Sequence, residues 1–267
     1  MSVLFVTYRR LSLLERTLRS FVANTEYAPL ELVVADDGSP PEMQRAIRKL
    51  PFDRFVMAKK NAGLGANLNA GLDHCRGDYV LVLQDDWDCV GPRDYLRNAV
   101  ELVRNHPSIG LVKFYGVEHT TGALGLAGDC AEPYAAIPPR LPSGLPQEHI
   151  YSDTPHLRSR ALGQVVGPYR ERCRMEECEL DYGARFAAQN VVGAALFPRY
   201  YNHVFVHTGE DRSHRTSTLR ARIESSLLPA ARWLKRRCAP AYSPARATVR
   251  ALLECAERAR RGRHCRH

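Results

Sequence analysis

The sequence predicts an α/β protein built on a doubly wound, mainly parallel sheet, followed by a basic helical extension at the carboxyl terminus. Three observations carry this. Short apolar runs such as Val3–Val6 and Tyr79–Leu83 have the length and character of strands buried on both faces. Stretches with apolar residues on one helical face lie between such runs. Polar or glycine-rich clusters follow the runs, at the carboxyl ends where such sheets hold their ligands.

Taken in order, Val3–Val6 is the first strand. Ser12 and Glu15, spaced as a capping box, open a helix whose face is Leu11, Leu14, Leu18, Phe21 and Val22. A strand over Leu30–Ala35 runs into Asp36-Asp37-Gly38-Ser39 and two prolines, which is turn chemistry. A helix near Glu42–Leu50, a strand Phe55–Ala58, the turn Asn61-Ala62-Gly63-Leu64-Gly65 and a helix Ala66–Cys75 come next. The strand Tyr79–Leu83 delivers Gln84-Asp85-Asp86; a helix bearing Leu96, Val100 and Val103 and a strand Ile109–Phe114 close the alternation.

Beyond Tyr115 the pattern loosens into Gly- and Pro-rich sequence up to about Gly144, the kind of irregular insertion in which an α/β scaffold often holds a second substrate. Order is expected again over Tyr151–Val166, in an acidic helix Met175–Gln189 and in the run Val204–His207. The chain therefore divides into a first half at 1–115, a second half of the same domain at 116–211 and a tail at 212–267.

The net charge of +9 belongs to that tail, where 15 Arg or Lys face 3 Glu, leaving residues 1–211 at −3. A nucleic-acid-binding domain would carry its basic patch on the folded part, so that class is excluded. The tail's Ile223, Leu227, Leu228, Trp233 and Leu234 beside Arg232, Lys235, Arg236 and Arg237 fit either an interfacial membrane helix or a helix packed on the domain. No stretch approaches the ~18 apolar residues of a spanning helix, and Val3–Val6 is too short for a signal peptide, so a cytoplasmic protein is expected, with peripheral contact at the cytoplasmic face of a membrane left open. The eight cysteines, at 75, 89, 130, 173, 178, 238, 255 and 265, include no C-x-x-C pair and read as free thiols in a reducing compartment.

Five segments stand in an order that resembles glycosyltransferase family 2, an inverting family with a GT-A fold. They are Val6–Arg10, Val33–Ser39, Asn61–Gly71, Gly77–Leu83 and Gln84-Asp85-Asp86. Each alone is weak; together they span about 85 residues in sequence order. The resemblance implies a nucleoside diphosphate sugar as donor and a hydroxyl acceptor, whether a glycan, a lipid-linked glycan or a small metabolite. It places Thr7, Tyr8 and Arg9 along the nucleotide pocket, an Asp of the pair Asp36 and Asp37 on the base, and Asn61, Gly63 and Asn67 on the base or ribose.

Asp86 aligns with the last carboxylate of the family's D-x-D signature and is the expected ligand of Mg²⁺ or Mn²⁺, hard cations that prefer oxygen donors. Gln84 stands where the family has its first Asp. A neutral amide can bond ribose hydroxyls but does not balance a cation, so Asp85 is expected to compensate. His207 is a further metal candidate, and Arg212, His214 and Arg215 beyond it fit a lid over the diphosphate or a solvated basic turn. For the general base that takes the acceptor proton, Met175–Asp181 offers four carboxylates; Glu179 is the first choice and Glu177 the second. A sugar-nucleotide-binding module without turnover is the alternative that Gln84 keeps open. A nucleotidylyltransferase fits less well, because no Gly-rich basic loop follows the first strand.

Overall fold

The computed structural model describes residues 1–116, 125–127, 132–140, 150–189 and 192–209. The expectations for the 212–267 tail, the lid residues Arg212, His214 and Arg215, and the proline-rich stretch at 141–149 lie outside these residues.

The elements follow the order β1 (Ser2–Thr7), α1 (Leu11–Asn24), β2 (Glu31–Asp36), α2 (Pro41–Ile47), β3 (Arg54–Met57), α3 (Leu64–His74), β4 (Tyr79–Gln84), β5 (Trp87–Cys89), α4 (Tyr95–Asn105) and β6 (Ile109–Lys113). Then come β7 (Gly125–Ala127), β8 (Tyr134–Ile137), β9 (His156–Ser159), α5 (Arg160–Val166), α6 (Met175–Ala188), β10 (Gly193–Leu196) and β11 (Phe205–His207). Nine strands form one sheet in the order β3-β2-β1-β4-β9-β6-β10-β8-β7, and β5 pairs with β11 in a separate ribbon.

β1, β2, β3 and β4 run parallel, as does β10 beside β6. β9 enters antiparallel between β4 and β6, and β8 lies antiparallel to β10. The expected parallel sheet is therefore the first half of a mixed one. The chain leaves β1 toward β2 and β3 and returns to its other side with β4, so the strand order reverses between β1 and β4. Crevices at such reversals open at the carboxyl ends of the strands.

Alternation along β1 divides the core. Val3 and Phe5 pack into one apolar layer with Leu14, Leu18 and Phe21 of α1 and Leu96, Val100 and Val103 of α4. Leu4 and Val6 pack into the other with Leu68 of α3, Leu162 of α5 and Tyr182 and Phe186 of α6. This two-sided burial is what an uninterrupted apolar strand requires.

Two sequence expectations for α1 are corrected. Arg10, not a capping side chain, precedes the helix, and Ser12 lies inside it, so the Ser12–Glu15 capping box does not form. Val22 is 57 % exposed; Thr17 takes the buried position instead, donating its hydroxyl to the Asp85 carbonyl at 2.8 Å. The described cysteines Cys75, Cys89, Cys173 and Cys178 are free thiols, as expected. Among the described residues no helix is long and apolar enough to cross a membrane.

Candidate functional site

The register of β1 on β4 sets Val6 opposite Gln84, which brings the next residues of each strand, Thr7 and Asp85, together at the reversal point. Thr7 Oγ1 donates to Asp85 Oδ2 at 2.7 Å, and the Tyr8 main-chain N–H also donates to this carboxylate. Arg10 Nη1 reaches across to both acids, 2.7 Å from Asp86 Oδ2 and 3.4 Å from Asp85 Oδ1. Two adjacent carboxylates, each no more than 5 % exposed, thus share one guanidinium. Burial, with Asp86 adding its charge, pushes the Asp85 carboxyl up to about 6 against the opposing pull of Thr7 and Arg10.

The β5–β11 ribbon brings a distant segment onto the same acids. His207 pairs with Trp87 across the ribbon, their rings 4.9 Å apart, and His207 Nε2 lies 3.3 Å from Asp86 Oδ2. The Thr208 main-chain N–H donates to the Asp86 carbonyl at 2.8 Å. A Cβ on Gly209 would stand 2.6 Å from Asp86 Oδ2, so the glycine keeps that side of the carboxylate open.

Asp86 Oδ1 is buried and has no hydrogen-bond partner among the described residues. A dry, unpartnered carboxylate oxygen beside an imidazole and a Cβ-sized opening is a donor set that fits a divalent cation. Among the described residues no group of three His, Cys, Asp or Glu is placed to hold a metal; of the expected ligands, the fold brings Asp86 and His207 side by side. Asp85, with both oxygens engaged, belongs to the support beneath them.

The expected base-binding residues lie along β2 and the loop before α3. Asp36 is fully buried and accepts from Ser39 N and Gln44 Nε2, closing its own turn and pinning α2. Asp37 accepts from the main-chain N–H groups of Ala62 at 2.8 Å and Gly63 at 3.0 Å. Burial pushes its carboxyl up, those two N–H groups pull it down, and the Asp36 charge pushes it up again. Both acids accept hydrogen bonds within the protein, and Asp37 holds the loop that carries exposed Asn61 and half-buried Gly63. Asn67 is buried and donates to the Ala35 and Thr7 carbonyls, fastening α3 to the sheet. Tyr8 is half-buried. Arg9 is exposed, has a left-handed φ of 57° held by its N–H on Ser39 Oγ, and places its guanidinium over the Tyr8 ring.

Across the crevice, Gln84 Nε2 donates to Asp153 Oδ2 at 2.9 Å, and the Asp153 main-chain N–H donates to Glu179 Oε1 at 3.3 Å. Burial first, and then the Asp153 charge, push the Glu179 carboxyl up to about 7, while nearby Lys113 opposes the rise. Lys113, at the end of β6, is itself held down at about 8 by burial. Of the two expected bases, Glu179 faces this cluster. Glu177 is exposed and accepts from the Arg174 main-chain N–H, capping α6.

Sequence reading missed Arg10, Lys113 and Asp153. Arg10 sat inside a recognised segment but carried no role; Lys113 was hidden in an apolar strand. Asp153 lies just past the irregular stretch, where spacing gives no signal.

A family model for Glycosyl transferase family 2 matches residues 2–161. The chain is 32 % identical over 91 residues to GalNAc(5)-diNAcBac-PP-undecaprenol beta-1,3-glucosyltransferase of Campylobacter jejuni, covering 32 % of this chain and 29 % of that protein. It is 30 % identical over 140 residues to the succinoglycan biosynthesis protein ExoM of Rhizobium meliloti, covering 50 % and 40 %. These matches thus span less than half of either relative's length.

Among solved structures, residues 1–349 of S. aureus TarS in complex with UDP-GlcNAc superpose with a TM-score of 0.58 at 18 % identity, over 81 % of this chain and 60 % of that one. The mannosyltransferase PcManGT from Pyrobaculum calidifontis, in complex with GDP-Man and Mn²⁺, gives 0.56 at 20 %, over 91 % and 66 %. At such identities the likeness speaks to the fold, which is of the GT-A type.

Proposed function

The chain belongs to glycosyl transferase family 2, and we propose that it moves a sugar from a nucleoside diphosphate donor to a hydroxyl acceptor with inversion at the transferred carbon. The observation that carries the reading is the set of Thr7, Arg10, Asp85, Asp86 and His207 at the reversal point of the sheet, with one Asp86 oxygen left free.

In this reading residues 1–115 bind the donor, with Asn61 and Gly63 against the nucleotide and Tyr8 and Arg9 at its edge. Residues 116–211 supply the acceptor side and the base. Glu179 takes the proton of the acceptor hydroxyl as that oxygen bonds to the sugar carbon and the bond from that carbon to the diphosphate breaks. A base held near neutrality suits this step, because it is ionised at working pH yet basic enough to accept the proton. Mg²⁺ or Mn²⁺, held by Asp86 and His207 and completed by donor oxygens, would neutralise the charge that gathers on the leaving diphosphate. Arg10, beside both acids, would add positive charge near the same phosphates.

One observation favours a binding module without turnover: Arg10 already occupies an Asp86 oxygen. The test of donor recognition common to both readings is a thermal-shift screen of UDP-, GDP- and dTDP-sugars with and without Mn²⁺. A Mn²⁺-dependent rise with one nucleotide class is expected. No shift with any of them would refute donor binding.

A further inference from the structure

We propose that Asp153 is a positioning residue that ties Gln84 at the end of β4 to Glu179 on α6, and that the amide at 84 and the acid at 153 form a matched pair. The part of this that concerns Glu179 rests on the reading of that residue as the base.

The segment holding Asp153 is anchored from several sides. The Phe114 main-chain N–H donates to the Pro155 carbonyl at 3.1 Å, and Thr154 Oγ1 donates to the Tyr115 carbonyl at 3.0 Å. Ser152 and Thr154 hydroxyls lie 2.7 Å apart, and His156 Nδ1 is 2.7 Å from the Thr154 carbonyl. Asp153 is therefore fixed as it reaches Gln84 on one side and Glu179 on the other, at 2.9 Å and 3.3 Å.

This geometry gives the departure at position 84 a physical reason. A carboxylate there would face the Asp153 carboxylate across a hydrogen-bond distance, and two like charges so placed do not both stay ionised. A neutral amide instead donates a hydrogen bond to Asp153, which favours its ionised form against the burial and the Asp86 and Glu176 charges that raise it. The acid lacking at the end of β4 is thus supplied in space from the segment before β9. Its charge then acts on Glu179, in company with Glu176 from the same helix and against Lys113 from β6. Burial raises the Asp153 carboxyl, and the Gln84 amide is the largest influence lowering it. The pair is therefore coupled: neither residue suits the site without the other.

The test is a double-mutant cycle of near-isosteric changes in the full chain: Gln84→Glu, Asp153→Asn and the two together. Two readouts are taken, the thermal midpoint at pH 8 and the titration midpoint of the Glu179 carboxyl followed by ¹³C NMR. Gln84→Glu is expected to lower the thermal midpoint by about 5 °C, since it replaces a buried hydrogen bond with facing charges. Adding Asp153→Asn should recover most of that loss by restoring one donor and one acceptor. Asp153→Asn alone should move the Glu179 titration back toward the ordinary carboxylate value while the thermal midpoint stays near the parent's, whereas loosened packing, which also relieves burial, would move both. Additive losses in the thermal cycle, or a Glu179 titration unmoved by Asp153→Asn, would overturn the proposal. Neither readout needs turnover. Failure of the parent protein to release nucleoside diphosphate would count against the transfer reading, while these two results still decide the pairing.

Discussion

Replacing Arg10 by Met removes the one guanidinium seen between two buried acids, and its cost is expected to depend on pH. Arg10 Nη1 stands 2.7 Å from Asp86 Oδ2 and 3.4 Å from Asp85 Oδ1. Truncating one partner of a fully buried pair costs about 3–5 kcal/mol. Here the Arg10 side chain is 20 % exposed and the second contact is long, so about 2–3 kcal/mol is expected at pH 8.

Asp85 can take up a proton when Arg10 is lost: burial already pushes its carboxyl up to about 6, and Arg10 is one of the groups holding it from rising further. A carboxyl raised in the folded state lends stability below its unfolded pKa and loses it as pH climbs through the folded one. In the Met variant that loss is larger, so the deficit relative to the parent should open between about pH 5 and pH 8. Differential scanning fluorimetry should read about 5–10 °C at pH 8 and a smaller deficit at pH 5, at about 2–4 °C per kcal/mol for a domain of this size. Equal deficits at the two pH values would mean that the Asp85 charge plays no part in the loss, and no deficit would refute the reasoning outright.

Glu179→Gln should lower kcat about 10²–10⁴-fold, whereas Glu177→Gln should leave transfer near the parent value, both read by nucleotide release. Because a base works in its ionised form and Glu179 sits at about 7, the parent's rate should fall as pH drops through about 7. His207→Ala, at a side chain 42 % exposed, should keep the fold but raise the Mn²⁺ concentration needed for the donor-dependent thermal shift about tenfold or more. A Cβ on Gly65 would stand 2.1 Å from the Arg170 carbonyl oxygen, so Gly65→Ala should cost at least about 1–3 kcal/mol in denaturant unfolding as the 167–174 segment is pushed away.

The first half of the fold was legible because its strands are buried on both faces and its helices on one, so that period and composition carry the signal. β1, β2, β3, β4 and β6 and their intervening helices fall within a few residues of the expected positions. β5, β7, β8 and β10 were not foreseen. β5 is three residues whose identity depends on β11, more than a hundred positions later, and Ala135, Ala136, Ala194 and Ala195 give β8 and β10 little strand character of their own.

The same divide runs through the site. Asp85 and Asp86 were found because they end an apolar run, and His207 because it ends another. Glu179 was ranked ahead of Glu177 on the sequence alone, and in the fold α6 turns Glu179 toward Asp153 and leaves Glu177 to cap the helix. Asp36, Asp37 and Asn67 were marked from a motif, whose pattern does not tell a side chain that meets a ligand from one that shapes the pocket. In the fold all three bond to the protein itself.

The central claim is that this crevice turns over a nucleoside diphosphate sugar through Asp86. Its most direct test is release of nucleoside diphosphate from UDP- and GDP-sugars in the presence of Mn²⁺, comparing the parent with Asp86→Asn. Release by the parent and a fall of about 10²-fold or more in the variant are expected. Equal release by both proteins, or none by the parent from any donor that shifts its melting, would contradict it.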